Sequence, residues 1–375
     1  MHDLGQAELE SLAAVLATPI LTTGEFVSDF EARFAAYMGS QHALGVTSCT
    51  GAAHMSLLAL GIGQGDEVIT TPMTFIASST AIIEAGAKPV FVDVEADTGN
   101  LDANLIEAAI TPKTKAIMPV HLYGQMCDMR AIREIADRHG LLIIEDAAHC
   151  VEGARDGLRP GQAADTACYS FYATKNLTSG EGGALTFNRT ELLPKLKLLR
   201  LHGMTKNAND RHKEGYQHWD MAEMGWKYNM DNLQAAILLP QLARLEQKWE
   251  RREALANLYR ERLAEIPGLR LPALRPNTRH AWHLLVVWIE NGWRDEIIQG
   301  LQAAGVGVMV NYRAIHQLSF FRQALGTQRG DFPVAEQLGD AAISLPFYPT
   351  MSEEQVHQVC DTLYDLMQAQ FRAQS

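Results

Sequence analysis

Between His42 and Asn188, short apolar runs alternate with helix-patterned stretches, and no other feature restricts the fold as much. His42–Ser48, Asp66–Thr70, Pro89–Val94, Ala116–Val120, Leu141–Glu145, Thr166–Phe171 and Ala184–Asn188 read as strands. Helices are expected over Phe75–Glu84, Leu101–Ile110 and Met129–His139, and over C-T-G-A-A-H-M-S-L-L-A-L, which closes at Gly61. Two more, over residues 6–17 and Phe26–Met38, come before the first strand. Such alternation implies an α/β fold, a largely parallel sheet covered by helices on both faces. Ligands of these sheets gather at the carboxyl ends of the strands.

After Glu191 the pattern changes. Residues 204–228 are polar and rich in histidine and read as a long loop. Asp231–Leu263 is helix-rich, and Pro240 is expected to kink or divide it. A smaller α+β region follows, with strands over Trp282–Ile289 and Val306–Tyr312, a helix over Arg294–Ala304 and a last helix from Glu353 to Gln370. We therefore expect a large unit over residues 1–250 and a small C-terminal one over 251–375.

Two strand ends carry candidate chemistry. L-L-I-I delivers Glu145 and Asp146, and A-C-Y-S-F-Y leads into a small polar turn that carries Lys175 and ends in a glycine pair. A strand-end amine and a strand-end carboxylate are what a pyridoxal phosphate enzyme needs. The lysine holds the aldehyde as a Schiff base, and the carboxylate pairs with the pyridinium nitrogen. The turn S-C-T-G at Ser48–Gly51 opens a helix, whose N-terminal N–H groups suit a phosphate, and Ser170 could add a hydroxyl. Each residue taken alone has a plainer reading. Asp146 is equally a helix cap, Lys175 a solvated charge, Ser48 or Thr50 an N-cap, and Phe75 and His149 packing residues.

Other motifs are excluded. G-I-G-Q-G at Gly61–Gly65 follows a helix and precedes a strand, the reverse of the dinucleotide fingerprint. No phosphate-binding G-x-x-x-x-G-K motif occurs. His202, His212, His218, His280, His283 and His316 lack metal-site spacing, and the five scattered cysteines form no C-x-x-C, so no metal is expected. The formal net charge of −12 argues against nucleic acid and membrane surfaces. The acidic N-terminus lacks a signal core, and no apolar run is long enough to span a bilayer. A soluble, cytoplasmic protein with reduced thiols is the expectation.

Taken in order, G-D-E-V-I-T-T-P-M-T-F, A-I-M-P-V-H-L-Y-G-Q, I-I-E-D-A-A-H, S-F-Y-A-T-K-N-L-T-S-G-E-G-G and K-Y-N-M-D-N-L-Q-A-A resemble the DegT-type sugar aminotransferases. This is a branch of the fold-type I pyridoxal phosphate enzymes. The likeness runs from T-T-G at Thr22 to S-L-P-F-Y-P at Ser344–Pro349. It implies an aspartate-aminotransferase-like fold with Lys175 as the Schiff-base lysine and Asp146 as the pyridinium partner. It places Phe75 on the cofactor ring, His149 near the ring hydroxyl, and Thr50, Gly51 and Ser170 around the phosphate. Asn229 would reach the phosphate of a neighbouring subunit, so the active unit would be a homodimer with shared sites. Thr22, Tyr312 and His316 would face the substrate. One departure is that S-C-T stands where many members have N-G-T, so Cys49 replaces a glycine.

H-A-W-H-L at His280–Leu284 and R-A-I-H at Arg313–His316 are similar to the UDP-4-keto-pentose aminotransferases of lipid A modification. The resemblance implies transfer of an amino group from L-glutamate, leaving 2-oxoglutarate, to C4 of a UDP-linked keto sugar. A 4-keto-6-deoxyhexose on UDP, dTDP or GDP stays open. Related dehydratases carry histidine in place of the lysine, so Lys175 favours transamination. A non-catalytic binding protein of the same fold is the alternative from another class.

Overall fold

A computed structural model describes residues 3–205 and 218–374 of the chain. Part of the expected 204–228 loop, with His212, lies outside the described residues. The main sheet has seven strands: β1 (His42–Val46), β2 (Glu67–Thr70), β3 (Lys88–Phe91), β4 (Thr114–Ile117), β5 (Leu142–Asp146), β6 (Thr166–Ser170) and β7 (Gly183–Phe187). Their spatial order is β1-β7-β6-β5-β4-β2-β3. The five strands from β6 to β3 are parallel, as alternation predicts. β7 runs antiparallel to both β6 and β1. It follows β6 after a turn with no crossover helix, and only a crossover can return a strand parallel.

The helices are α1 (Gln6–Leu16), α2 (Glu25–Met38), α3 (Cys49–Ala59), α4 (Ala77–Glu84), α5 (Met129–His139), α6 (Leu193–Arg200), α7 (Asn232–Ala243) and α8 (Leu245–Leu263). Then come α9 (Arg294–Ala303), α10 (Ser319–Leu325), α11 (Pro333–Ala341) and α12 (Glu353–Gln374). The strands bury both faces because successive side chains point to opposite sides. Ile143 joins Phe30, Phe34 and Ile132 in one core, while Ile144 joins Leu44, Met55 and Leu196 in the other. A second sheet of β8 (Leu269–Arg270), β9 (Leu285–Ile289) and β10 (Ala342–Leu345) has its own core with α8, α9 and α12. Within α8, Leu245 belongs to the first core and Leu255 to this one, so residue 250 falls inside a helix.

Four local expectations change. Leu101–Ile110 forms two 3-10 turns, because the Asp102 carboxylate accepts from Asn104 N at 2.9 Å and this tight closure competes with an α-helix. The stretch from Val306 to Tyr312 pairs only at Met309, which exchanges two backbone hydrogen bonds with Ser344. α7 continues through Pro240, and the break comes at Arg244. The strand expected from Trp282 starts at Leu285. Before it, Ala281 N and His283 N donate to Gly124 O and Tyr123 O, at 2.7 and 3.1 Å. Those bonds tie the segment to the loop between β4 and α5, beside the strand ends. No described helix is long and apolar enough to cross a membrane.

Candidate active site

The carboxyl ends of β5 and β6 sit side by side, with Asp146 registered against Cys168, two residues before Ser170. Asp146 is half-buried and held on both oxygens. Ser78 Oγ donates to Oδ2 at 2.7 Å, and Ala148 N donates to Oδ1 at 3.1 Å. The one Ser78 hydroxyl proton is thereby committed, so Thr74 Oγ1, 2.8 Å away, donates to Ser78. The Cys49 thiol lies 3.9 Å from Asp146 Oδ1 and ties the first turn of α3 to the same spot.

Lys175 follows β6 in a turn closed by its own N–H on Tyr172 O at 2.9 Å. Its side chain is half-buried and lines a small cavity with His149, Ser170, Asn176 and His283. Burial pushes the amine down to about 8, with Asp146 and Cys49 resisting the shift. Much of the amine is therefore uncharged just above neutral pH and able to attack a carbonyl. The same burial, reinforced by Lys175, holds His149 and His283 well below the usual histidine range, so both are neutral.

An aromatic wall runs beside these groups. Phe75 and Tyr312 have ring centroids 6.1 Å apart, Tyr312 Oη is 3.1 Å from His149 Nε2, and the His149 and His283 rings lie 4.3 Å apart. Phe75 is 55% exposed, an unusual place for a phenylalanine with no task.

At α3, Ser48 is the N-cap, with Oγ accepting from Gly51 N at 3.0 Å. The helix therefore has the plain cap that the sequence allowed, and the Gly51 N–H is already used. Cys49 and Thr50 N–H groups have no carbonyl within the helix to bond. Glycine at 51 has a packing reason: a Cβ there would stand 3.2 Å from the Tyr228 ring. Gly183 at the start of β7 is pressed closer still, since a Cβ would meet Ser48 and Cys49 backbone atoms at 2.5 and 2.6 Å.

The expected residues do not all converge. Lys175, Asp146, His149 and Ser170 share the strand ends, with Phe75 and Tyr312 on the wall and Thr50 and Gly51 at the helix start. Asn229 bridges Val46 at the end of β1, and its Nδ2 donates to Thr23 Oγ1 at 2.9 Å and reaches the exposed Thr22 Oγ1 at 3.5 Å. His316 is elsewhere, contrary to expectation. It is fully buried, its Nε2 2.9 Å from Glu336 Oε1 and its ring edge-on to Phe332. Ser78, Asn176 and His283 were not singled out from the sequence for this site. Ser78 hides in A-S-S-T, where nothing distinguishes it from helix filler, while the H-A-W-H run held a signal for His283.

These groups fit pyridoxal phosphate. The buried His149 Nδ1 has no partner among the described residues, Asp146 is braced by Ser78 and partly exposed, and an uncovered phenylalanine ring stands beside them. The comparisons agree. Residues 2–364 match the model of the DegT/DnrJ/EryC1/StrS aminotransferase family. The chain is 41% identical to the spore coat polysaccharide biosynthesis protein SpsC of Bacillus subtilis, over 97% of this chain and 95% of that one. It superposes on DesV of S. venezuelae with a TM-score of 0.89 at 38% identity, covering 96% and 94% of the two chains. For the PLP form of Spr1654 from Streptococcus pneumoniae the TM-score is 0.92 at 29% identity, covering 98% and 97%. With a family match across nearly its whole length, this chain belongs to the DegT/DnrJ/EryC1/StrS aminotransferase family, whose members are pyridoxal phosphate-dependent sugar aminotransferases.

Proposed function

We propose that the chain moves an amino group from L-glutamate to C4 of a UDP-linked keto sugar, in the synthesis of a cell-surface polysaccharide. The Lys175 amine carries this reading, because it is half-buried, titrates at about 8 and stands beside Asp146 and the neutral His149. Pyridoxal phosphate supplies an electron-poor ring that lets a C–H bond next to nitrogen break. Lys175 Nζ would hold the cofactor through its aldehyde, and its free amine would take the proton lost by the donor carbon and deliver it to the former aldehyde carbon. Asp146 would hold the proton on the ring nitrogen, and Ser78 and Ala148 N–H fix its carboxylate in place. Phe75 would orient the ring by stacking, and Cys49 N–H, Thr50 and Ser170 would receive the phosphate. The similarity to SpsC supports a polysaccharide route, and H-A-W-H-L supports the UDP-sugar. The five unpaired cysteines suit a reducing, cytoplasmic setting.

The amine donor and acceptor are read in one assay. Glutamate should bleach the yellow cofactor to its pyridoxamine form, and a UDP-4-keto sugar should restore the colour. Restoration by 3-keto sugars alone, or by dTDP or GDP carriers alone, would overturn the acceptor assignment. Failure of glutamate to bleach would overturn the donor.

The shared-site homodimer belongs to the same reading. Asn229 lies at the end of β1, and Met221 and Met224 on the nearby segment are 53% and 63% exposed, which suits a face covered by a second copy. Inactive Lys175→Ala and Asn229→Ala variants, refolded together in equal amounts, should regain roughly a quarter of wild-type turnover, because half the dimers are hybrids with one intact site each. No regained turnover would place Asn229 in its own subunit's site.

A further inference from the structure

Behind the amine lies a chain of polar groups that the cofactor chemistry above does not use. Lys175 Nζ is 3.5 Å from His283 Nε2, and His283 Nδ1 is 3.4 Å from Asn176 Oδ1. Asn176 Nδ2 stands 3.1 Å from each oxygen of Glu152 and 2.8 Å from Ala281 O. Arg252 closes the chain, donating to Glu152 Oε1 at 2.9 Å and to Asn176 O at 3.2 Å. Glu152 and Arg252 are both buried.

This arrangement settles a tautomer. All three neighbours of Asn176 Nδ2 are acceptors, so that atom must be the amide nitrogen. A flipped amide would set oxygen against three oxygens. Asn176 Oδ1 therefore faces His283, and His283 must donate from Nδ1. The neutral ring then carries its lone pair on Nε2, turned towards the Lys175 amine. The His283 backbone is fixed as well, with its N–H on Tyr123 O at 3.1 Å. The opposite tautomer would point an N–H at the amine and leave two acceptors facing each other at Nδ1.

We propose that His283 is the hydrogen-bond acceptor that holds the Lys175 amine, in an Nδ1–H tautomer imposed by Asn176, Glu152 and Arg252. Asn176, Glu152 and Arg252 are positioning residues, acting on the amine only through His283. The role of the amine rests on the cofactor reading, whereas the tautomer is a property of the chain alone. A lone pair aimed at Nζ favours the ammonium form over the free amine and so opposes the effect of burial. It also gives the amine a fixed resting place near the strand ends when the amine is not bonded to cofactor.

The test uses two readouts on the full-length apoprotein. In protein labelled with 15N-histidine, the ring signals that vanish in His283→Gln should show a protonated Nδ1 and a bare Nε2. A protonated Nε2 overturns the proposal without any reference to the cofactor. The second readout is the rate of pyridoxal phosphate capture against pH. Removing the acceptor in His283→Phe should lower the midpoint of that profile by about one pH unit. His283→Gln, whose Oε1 can still accept, should restore most of the shift, which a packing role for the ring would not do. An unchanged midpoint in folded His283→Phe, or a Gln variant that behaves like Phe, also overturns it. If no variant and no wild-type protein captures the cofactor, the cofactor reading fails while the tautomer result stands.

Discussion

The two sides of the sheet at the end of β5 use adjacent carboxylates in opposite ways. Glu145 turns to the side that is sealed. It is fully buried, with Oε2 2.7 Å from His121 Nε2 and accepting from Gly161 N at 3.1 Å. Cys127 N donates to His121 Nδ1 at 3.2 Å, so the ring proton sits on Nε2 and goes to Glu145. Both nitrogens of that histidine are consumed by the fold. Asp146 turns to the other side, where Ser78, Ala148 and, at 3.9 Å, the Cys49 thiol brace it and it stays partly exposed. The histidines there are the neutral His149, whose Nδ1 has no partner among the described residues, and His283, which faces the Lys175 amine. Chemistry is housed where polar groups are held on one side and left free on the other.

The largest expected contrast lies in exchanging the two residues' losses. On the proposed role of Asp146, Asp146→Asn should cut turnover on the order of a thousandfold, because the residue would no longer offer the ring nitrogen a charge. The urea midpoint of its apoprotein should barely move. Glu145→Ala should do the reverse and lose about 2–5 kcal/mol of stability, since two buried donors, His121 Nε2–H and Gly161 N–H, lose their acceptor. If Glu145→Ala unfolds at the wild-type urea concentration, the sealed side is not structural. If Asp146→Asn keeps its turnover, the open side is not catalytic.

Lys175 sharpens the same contrast through pH. Its folded amine titrates at about 8 against 10.5 in an ordinary setting. Between those values the unfolded chain binds the extra proton, so apoprotein stability rises with pH across that window and the penalty is complete below it. Lys175→Met should therefore stabilise the apoprotein at pH 7 by about 1–3 kcal/mol, with the gain gone above pH 10.5. Urea titrations at several pH values check this, and a gain independent of pH would mean that the amine is not desolvated.

Much of this was legible in the sequence because it lies along single strands. The alternation of elements gave the parallel sheet, and the strand ends carried Asp146 and Lys175. What escaped depends on contacts between distant segments. Nothing in E-D tells which carboxylate stays partly exposed, because strand alternation sends neighbours to opposite sides without saying which side is sealed. His283 meets Lys175 across 108 positions, and Ser78 meets Asp146 across 68. His316 misled for the converse reason. A histidine beside a recognisable motif looked available, but Glu336 and Phe332 enclose it. Asp102 turned an expected helix into tight turns by a local side-chain bond that apolar spacing does not register.

Ser78 gives the smallest and most diagnostic effect. Its hydroxyl donates to Asp146 Oδ2 and accepts from Thr74, so it transmits the position of α4 to the carboxylate. Ser78→Ala removes the nearest donor to Asp146 and leaves Ala148 N–H and the more distant Cys49 thiol. A single hydrogen bond of this kind is worth about 0.5–1.5 kcal/mol, which corresponds to a drop in turnover of roughly threefold to tenfold. Affinity for glutamate should be unchanged, since Ser78 braces Asp146 from behind. Ser78→Thr keeps the hydroxyl and should recover most of the loss. A Ser78→Ala enzyme with full turnover would show that the β5 end and Ala148 suffice to aim Asp146, and that the open side needs less bracing than its hydrogen bonds suggest.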